Sequence, residues 1–336
     1  MWERTRARLN EDRHGFGLAA AALYPDVPKV AGTTLLARPG WIPDAPVPLE
    51  DVRTRWEPAP EPPAVTAPTL GLPDGFVSYA DAMAALAPPR VFEDRPSYRL
   101  LSVDGADLAF GPARYFDGVN VGEAVAHELA AAVPGLPVRT SVGDPTDLAR
   151  RPALVAITTL TVTASGRYVL HWRDPAKVAH AGGLHQVMPV GVFQPLTGRG
   201  GPGADLDPWS TMVREYAEEL LGAPEEYPDG FEQESWPFHR RMTEARRDGR
   251  LRASYLGLGV DPLTLAVDLL TAVVLEDEAF DELFGARLVA ENAEGRVRLA
   301  DFDGSVPEPV QPAGAAALRL AWRHRRALGV TPRRAP

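Results

Sequence analysis

The chain has 336 residues, 45% of them hydrophobic, with no cysteine and a formal charge of −10. Those values provide for one or two ordinary cores and exclude disulfides, thiolate zinc sites, iron–sulfur clusters and a cysteine nucleophile. The acidic balance argues against direct nucleic-acid binding and against anionic membranes, and no apolar run approaches eighteen residues.

The amino terminus, Met1-Trp2-Glu3-Arg4-Thr5-Arg6, runs into charge rather than into a signal-peptide core, so a cytoplasmic location is expected. Lysine occurs only at Lys29 and Lys177, beside 34 Pro and 30 Gly. That usage points to a GC-rich genome, and the arginines as a group carry no mechanistic weight.

Residues 4–24 read as a helix closed by Pro25 and Pro28. A proline-punctuated stretch from Ala37 to Pro68 follows, which resists regular structure and reads as an arm. Tyr79–Leu86 predicts a short helix. Tyr98–Val103, Asp104-Gly105 and Ala106–Phe110 predict a β-hairpin, and Val121–Val133 a helix stopped by Pro134-Gly135. A second hairpin is expected from Val155–Thr163, the Ser165-Gly166 turn and Tyr168–Trp172. Extended chain from Leu184 to Phe193 leads to the glycine-rich run Gly198–Gly203. A helix then spans Pro208–Leu221, with Asp207 as N-cap and Gly222 near its end. Arg252–Val260 reads as a strand, Pro262–Leu275 as an apolar strand or helix, and Ala313–Ala327 as a closing helix whose basic face carries Arg319, Arg323, Arg325 and Arg326. The expected organisation is a helical, proline-rich arm over 1–68, a small α/β module over 69–147, and a mixed-sheet α/β (α+β) domain sandwiched by helices over 150–336.

The most informative residues are Arg214-Glu215-Tyr216-Ala217-Glu218-Glu219. On a helix, positions 215, 218 and 219 share one side, while Met212, Val213, Tyr216 and Leu220 form an apolar back. Like charges at that spacing cost an isolated helix roughly 0.2–0.5 kcal/mol each, and a cation relieves them. Arg214 can supply part of that charge and a hard divalent ion the rest.

This segment resembles the second half of the Nudix box, Arg-Glu-apolar-any-Glu-Glu. The resemblance implies Mg²⁺ or Mn²⁺ held by Glu218 and Glu219, with Glu215 as a further ligand or general base and Arg214 orienting the carboxylates. It also implies that Val155–Thr163, Tyr168–Trp172 and the Met188-Pro189-Val190-Gly191 corner are the strands leading into the box. The box departs from the family pattern at two places. Leu206 stands where a Glu is expected, flanked by Asp205 and Asp207, and Gly222 falls one residue late. Aligning the Pro189-Val190-Gly191 corner instead leaves an insertion of about nine residues before the helix. More widely, Trp2–Asn10, Arg114–Ala124 and Met188–Pro195 look like an actinobacterial family whose longer members resemble helix-turn-helix regulators, although this chain shows no such front.

Other residues have both a functional and a plainer reading. Arg173, Lys177 and His185 are candidate contacts to a nucleotide derivative, as is His180; the plainer reading is exposed loop cations and a surface turn. Glu276-Asp277-Glu278 is either an additional metal carboxylate or a polar turn. Tyr115, Phe116 and Asp117 are either an aromatic wall for a base or core aromatics. Gly198–Gly203 lacks the Gly-Lys-Ser/Thr ending of a P-loop, and His127-Glu128 lacks a second histidine at zinc spacing.

Three functions follow. The first is Mg²⁺- or Mn²⁺-dependent cleavage of a phosphoanhydride bond in a nucleoside-diphosphate-linked compound. The second is a catalytically inactive, regulator-like sensor of such a ligand, acting through a protein partner. The third is a structural interaction module.

Overall fold

The computed structural model describes residues 1–58, 60–65, 72–89, 92–174, 182–196, 203, 205–225, 227–228, 230–292 and 295–332. The first expected helix is two, α1 (Trp2–Glu11) and α2 (Arg13–Ala22), because Asp12 leaves helical geometry and its carboxylate accepts from Gly15 N, capping the second. The proline-rich arm is not irregular throughout. Its strand β1 (Val47–Pro48) pairs with the large sheet and β2 (Arg53–Trp56) with the small one. Pro48 ends β1 opposite Ser254, at the edge of the large sheet where a missing N–H is tolerated, and β2 contains no proline.

Helix α3 (Tyr79–Leu86) starts at Ser78, whose hydroxyl accepts from Asp81 N. The first hairpin forms from β3 (Pro96–Asp104) and β4 (Asp107–Arg114), turning at Gly105, where φ is +58°. Helix α4 (Tyr115–Ala130) begins six residues earlier than its apolar pattern suggests, because the Asp117 carboxylate accepts from Arg114 N and caps it. The short α5 (Pro137–Val142) follows, its first amides bonded to the Glu128 carboxylate.

Strands β5 (Val155–Thr163) and β6 (Arg167–Arg173) form the expected second hairpin but pair directly only near its turn, at Val162 opposite Tyr168. Beyond that point they splay, and the next segment enters the gap. Strand β7 (His185–Val187) lies along β6 and β8 (Val190–Val192) along β5. Helix α6 (Pro208–Glu215) and α7 (Pro237–Arg247) precede β9 (Leu251–Val260) and β10 (Val267–Leu275), which resolves the 262–275 ambiguity in favour of a strand. Helix α8 (Asp277–Leu283), β11 (Gly295–Asp301), α9 (Pro312–Arg323) and α10 (Arg325–Leu328) complete the chain.

The result is a mixed α/β structure with an eight-stranded sheet, order β1-β9-β10-β5-β6-β11 with β7 and β8 inserted, and a three-stranded sheet β2-β4-β3. The central β5–β10 pair is parallel, and its residues are buried along most of its length, as expected for strands covered on both faces. Helix α9 covers one face, with Gly314 so close to β7 that a Cβ there would meet Gln186 Oε1 at 2.2 Å. Helix α6 covers the other. One continuous hydrophobic cluster reaches from Trp2 to Val330.

The N-terminal helices are tied to α4 by charge. Glu123, buried, accepts from Arg6 and from Arg13 Nη2 at 2.9 Å. Beside it His127 stacks on Trp2 at 5.4 Å and meets the edge of Tyr79 at 5.5 Å. His127-Glu128 is therefore structural: an aromatic-cage histidine and the carboxylate that caps α5.

Burial, helped by the Arg6 charge and only partly offset by Glu123, lowers His127 from 6.5 to about 4. A depressed histidine favours folding above its unfolded value and loses that advantage as pH falls from 6.5 through about 4. That gap corresponds to about 3 kcal/mol. In urea unfolding at pH 7 and pH 4, the loss of stability on acidification should therefore be smaller in His127→Phe than in the wild type by an amount of that order; identical losses would refute the assignment.

Candidate functional site

Helix α6 is specified at its start by Asp207, whose carboxylate accepts from Trp209 N at 3.0 Å and Ser210 N at 3.1 Å, and by Pro208 in the first turn. Its back is buried at Met212, Val213, Tyr216, Ala217 and Leu220. Tyr216 is pinned to the sheet through a 2.6 Å hydrogen bond between its hydroxyl and that of Thr161 in β5. The α-helix does not continue to Leu221 as its sequence suggests. A π turn takes over from Tyr216 to Leu220, widening the helix where the glutamates project.

The three carboxylates are each seated differently. Glu215 lies over β8 at Gly191, where a Cβ would meet its carboxyl at 1.9–2.3 Å. Glu219 Oε2 accepts from Val190 N at 3.0 Å. Glu218 Oε1 accepts from the Tyr227 hydroxyl at 2.8 Å. The Met188-Pro189-Val190-Gly191 corner thus meets the acidic helix directly. All three glutamates are half-buried. Burial raises Glu215 well above the ordinary carboxylate range, and the negative charges of Glu218 and Glu219 add to the effect. Burial also pushes Glu218 up to about 7, opposed by the Tyr227 hydrogen bond and assisted by Glu225. Arg214 opposes both rises through space, and Arg95 opposes that of Glu218.

Arg214 does not hydrogen-bond these glutamates. Its Nη1 donates to Asp205 at 3.1 Å and to Gln233 Oε1 at 2.7 Å, and its Nη2 to Gln194 O and Thr211 Oγ1, both at 3.0 Å. It is 5% exposed and ties the segments on either side of α6 to the helix. Asp205 also accepts from Leu196 N, so it belongs to that clamp. Leu206, at the position where the box would carry a Glu, packs against the core. Among the described residues no three Asp, Glu or His side chains already stand together at metal-holding geometry.

The remaining candidates are dispersed. Arg173 ends β6 in register with Gly295. His185 in β7 packs on Trp172 at 5.0 Å, with Nδ1 against Pro309 O at 3.2 Å, and burial lowers its proton affinity. Lys177 and His180 lie outside the described residues, as does most of Gly198–Gly203. Within 276–278, Asp277 accepts from Ser165 N at 3.1 Å and secures the β5–β6 turn. Phe116 stacks on Phe92 at 4.5 Å, Asp117 caps α4, and Tyr115 faces a cavity.

That cavity, about 490 Å³, is on the other face of the sheet. Strand β8 separates the two regions: Val190 and Val192 line the cavity, whereas Gly191 between them faces Glu215. Sequence reading missed Tyr227 and Gln233 around the glutamates, for which distance along the chain gave no cue, and it placed Gly191 in the corner before the box without its contact to Glu215. It also missed Asp268 in the cavity, although a carboxylate between Val267 and Leu269 in an apolar run was a visible irregularity.

Replacing Arg214 by Lys removes the fork that holds four partners at once. Arg214→Lys should lower the melting temperature by several degrees in the absence of any ligand, consistent with a loss of about 2 kcal/mol for a buried charged network; an unchanged melting temperature would show that the clamp is dispensable. No family model matches this chain, and no curated protein matches it either.

Proposed function

We propose that the glutamate helix is a divalent-cation site and that the chain is a divergent Nudix-type hydrolase, cleaving a phosphoanhydride bond in a nucleoside-diphosphate-linked compound with Mg²⁺ or Mn²⁺. The observation that carries this reading is that Glu215, Glu218 and Glu219 project half-buried from one stretch of the helix, with the proton affinities of Glu215 and Glu218 raised. Carboxylates that burial and neighbouring negative charge push toward the protonated form also favour a cation in the proton's place. Arg214 opposes that push only through space, since its hydrogen bonds go elsewhere.

The residues present suit a hard ion, since all three side chains are carboxylates. Glu218 and Glu219 would hold the metal. The metal, when bound, supplies charge for the phosphate oxygens and acidifies water. Glu215, raised by burial and by its neighbours, is suited to accept a proton from that water. Gly191 keeps its carboxyl in place against β8.

A second reading, a ligand sensor without turnover that acts through a protein partner, is favoured by one observation: the 490 Å³ cavity lies across the sheet from the glutamates.

Calorimetric titration with Mn²⁺ should give a site in the wild type that is lost in Glu218→Gln/Glu219→Gln; equal heats would defeat the metal-dependent reading. Incubation with ADP-ribose, nucleotide sugars and dinucleoside polyphosphates, followed by product analysis, separates turnover from binding alone. Gly191→Ala offers a sharper check. Its added methyl meets the carboxyl end of Glu215, and overpacking of this kind costs about 1–3 kcal/mol. Hydrolysis should drop at least tenfold; full activity would remove Glu215 from the mechanism.

A further inference from the structure

The cavity is a built site in its own right. Its floor is β5, β8 and β10 at Val155, Ala156, Val190, Val192 and Asp268, and its walls come from α2, α4, α9 and the 261–266 turn. Helix α4 reaches that turn because Gly122 has no side chain: a Cβ there would meet Thr264 O at 2.7 Å. At the rim, Leu18 is 50% exposed, an apolar side chain left in solvent at the edge of the cavity.

Asp268 is the polar group on this floor that the rest of the molecule does not account for. It is 9% exposed, and among the described residues its hydrogen-bond partner is Thr158, whose hydroxyl donates to Oδ1 at 2.8 Å. A carboxylate has room for about four such bonds. Most other charged groups of the lining have their own partners, and the exposed Glu308 is a further carboxylate there. Arg13 joins Arg6 on Glu123, and Arg151 donates to Leu265 O at 2.7 Å. Arg319 donates to Ala31 O and Gly32 O, and Asp261 accepts from Leu263 N at 2.7 Å and Thr264 N at 3.2 Å. Asp261 also adds negative potential at Asp268, and burial raises Asp268 to about 7.

We propose that this cavity binds a small apolar molecule carrying a protonated nitrogen, an amine or amidine, with Asp268 as its counter-charge and the valine and leucine lining around its body. A cation there satisfies the under-bonded carboxylate, whereas an anion meets Asp268 and Asp261 together. A volume near 490 Å³ is within the range of small-ligand pockets. The inference stands on the opposite sheet face from the glutamates and does not depend on metal binding there.

The test uses the full chain and two probe pairs matched in shape, benzamidine with benzamide and phenethylamine with phenethyl alcohol, titrated calorimetrically at pH 8. The cation of each pair should bind at least tenfold more tightly than its neutral twin. Asp268→Asn, in which Oδ1 still accepts from Thr158, should lose that preference, and Val192→Phe, which fills the floor, should lose binding of both twins. Absence of binding by either cation in the wild type would overturn the proposal, as would equal affinity of the twins; both are read without any variant. Unchanged cation affinity in Asp268→Asn would overturn it as well.

Discussion

The structure depends on a hairpin that does not close. Strands β5 and β6 meet near their turn and then part, and the chain from His185 to Val192 fills the gap with two short strands. Because side chains alternate along an extended strand, the three residues of β8 serve both faces of the sheet. Two valines face the cavity on the α9 side, and the glycine between them leaves room for a glutamate of α6. A larger residue at 191 would push α6 or its carboxylate away; polar residues at 190 and 192 would line the cavity with groups needing partners.

Charge is compensated unevenly around this partition. The buried Glu123 has two guanidinium partners, and the pairing binds the first two helices to α4. Arg214 is fully occupied in joining the segments that flank α6. Among the described residues, burial raises the proton affinity of Glu215 and Glu218 on one face of the sheet and of Asp268 on the other. Burying a carboxylate costs stability unless its charge is met or neutralised.

Much of the scaffold was legible in the sequence because it is encoded locally. The β-branched and aromatic runs at 155–163 and 168–172, the Asp104-Gly105 turn and Asp207 as a cap all correspond to elements at those positions. The features that escaped are relations between distant segments. Asp12 breaks a helix by capping the next one, and β1 and β2 form only because β9 and β4 offer edges to pair with. Within the site, the spacing of the three glutamates showed that they would crowd. It did not show that Tyr227 and Val190 would each hold one, that Arg214 would bind a loop instead, or that the helix would widen into a π turn. Aspartate 268 was written as one charge in an apolar run, and only the packing of four other elements around it makes a hollow there.

The two charged regions are also connected through very few atoms. Thr158 donates to Asp268 with its hydroxyl, lies opposite Val190 in the ladder, and Val190 donates to Glu219. The rung whose hydroxyl holds Asp268 on one face is thus the rung whose partner amide holds Glu219 on the other. If occupancy of the hollow altered charge on the helix, reciprocity would make the converse effect equal, and the first residue of one three-residue strand would be the contact they share.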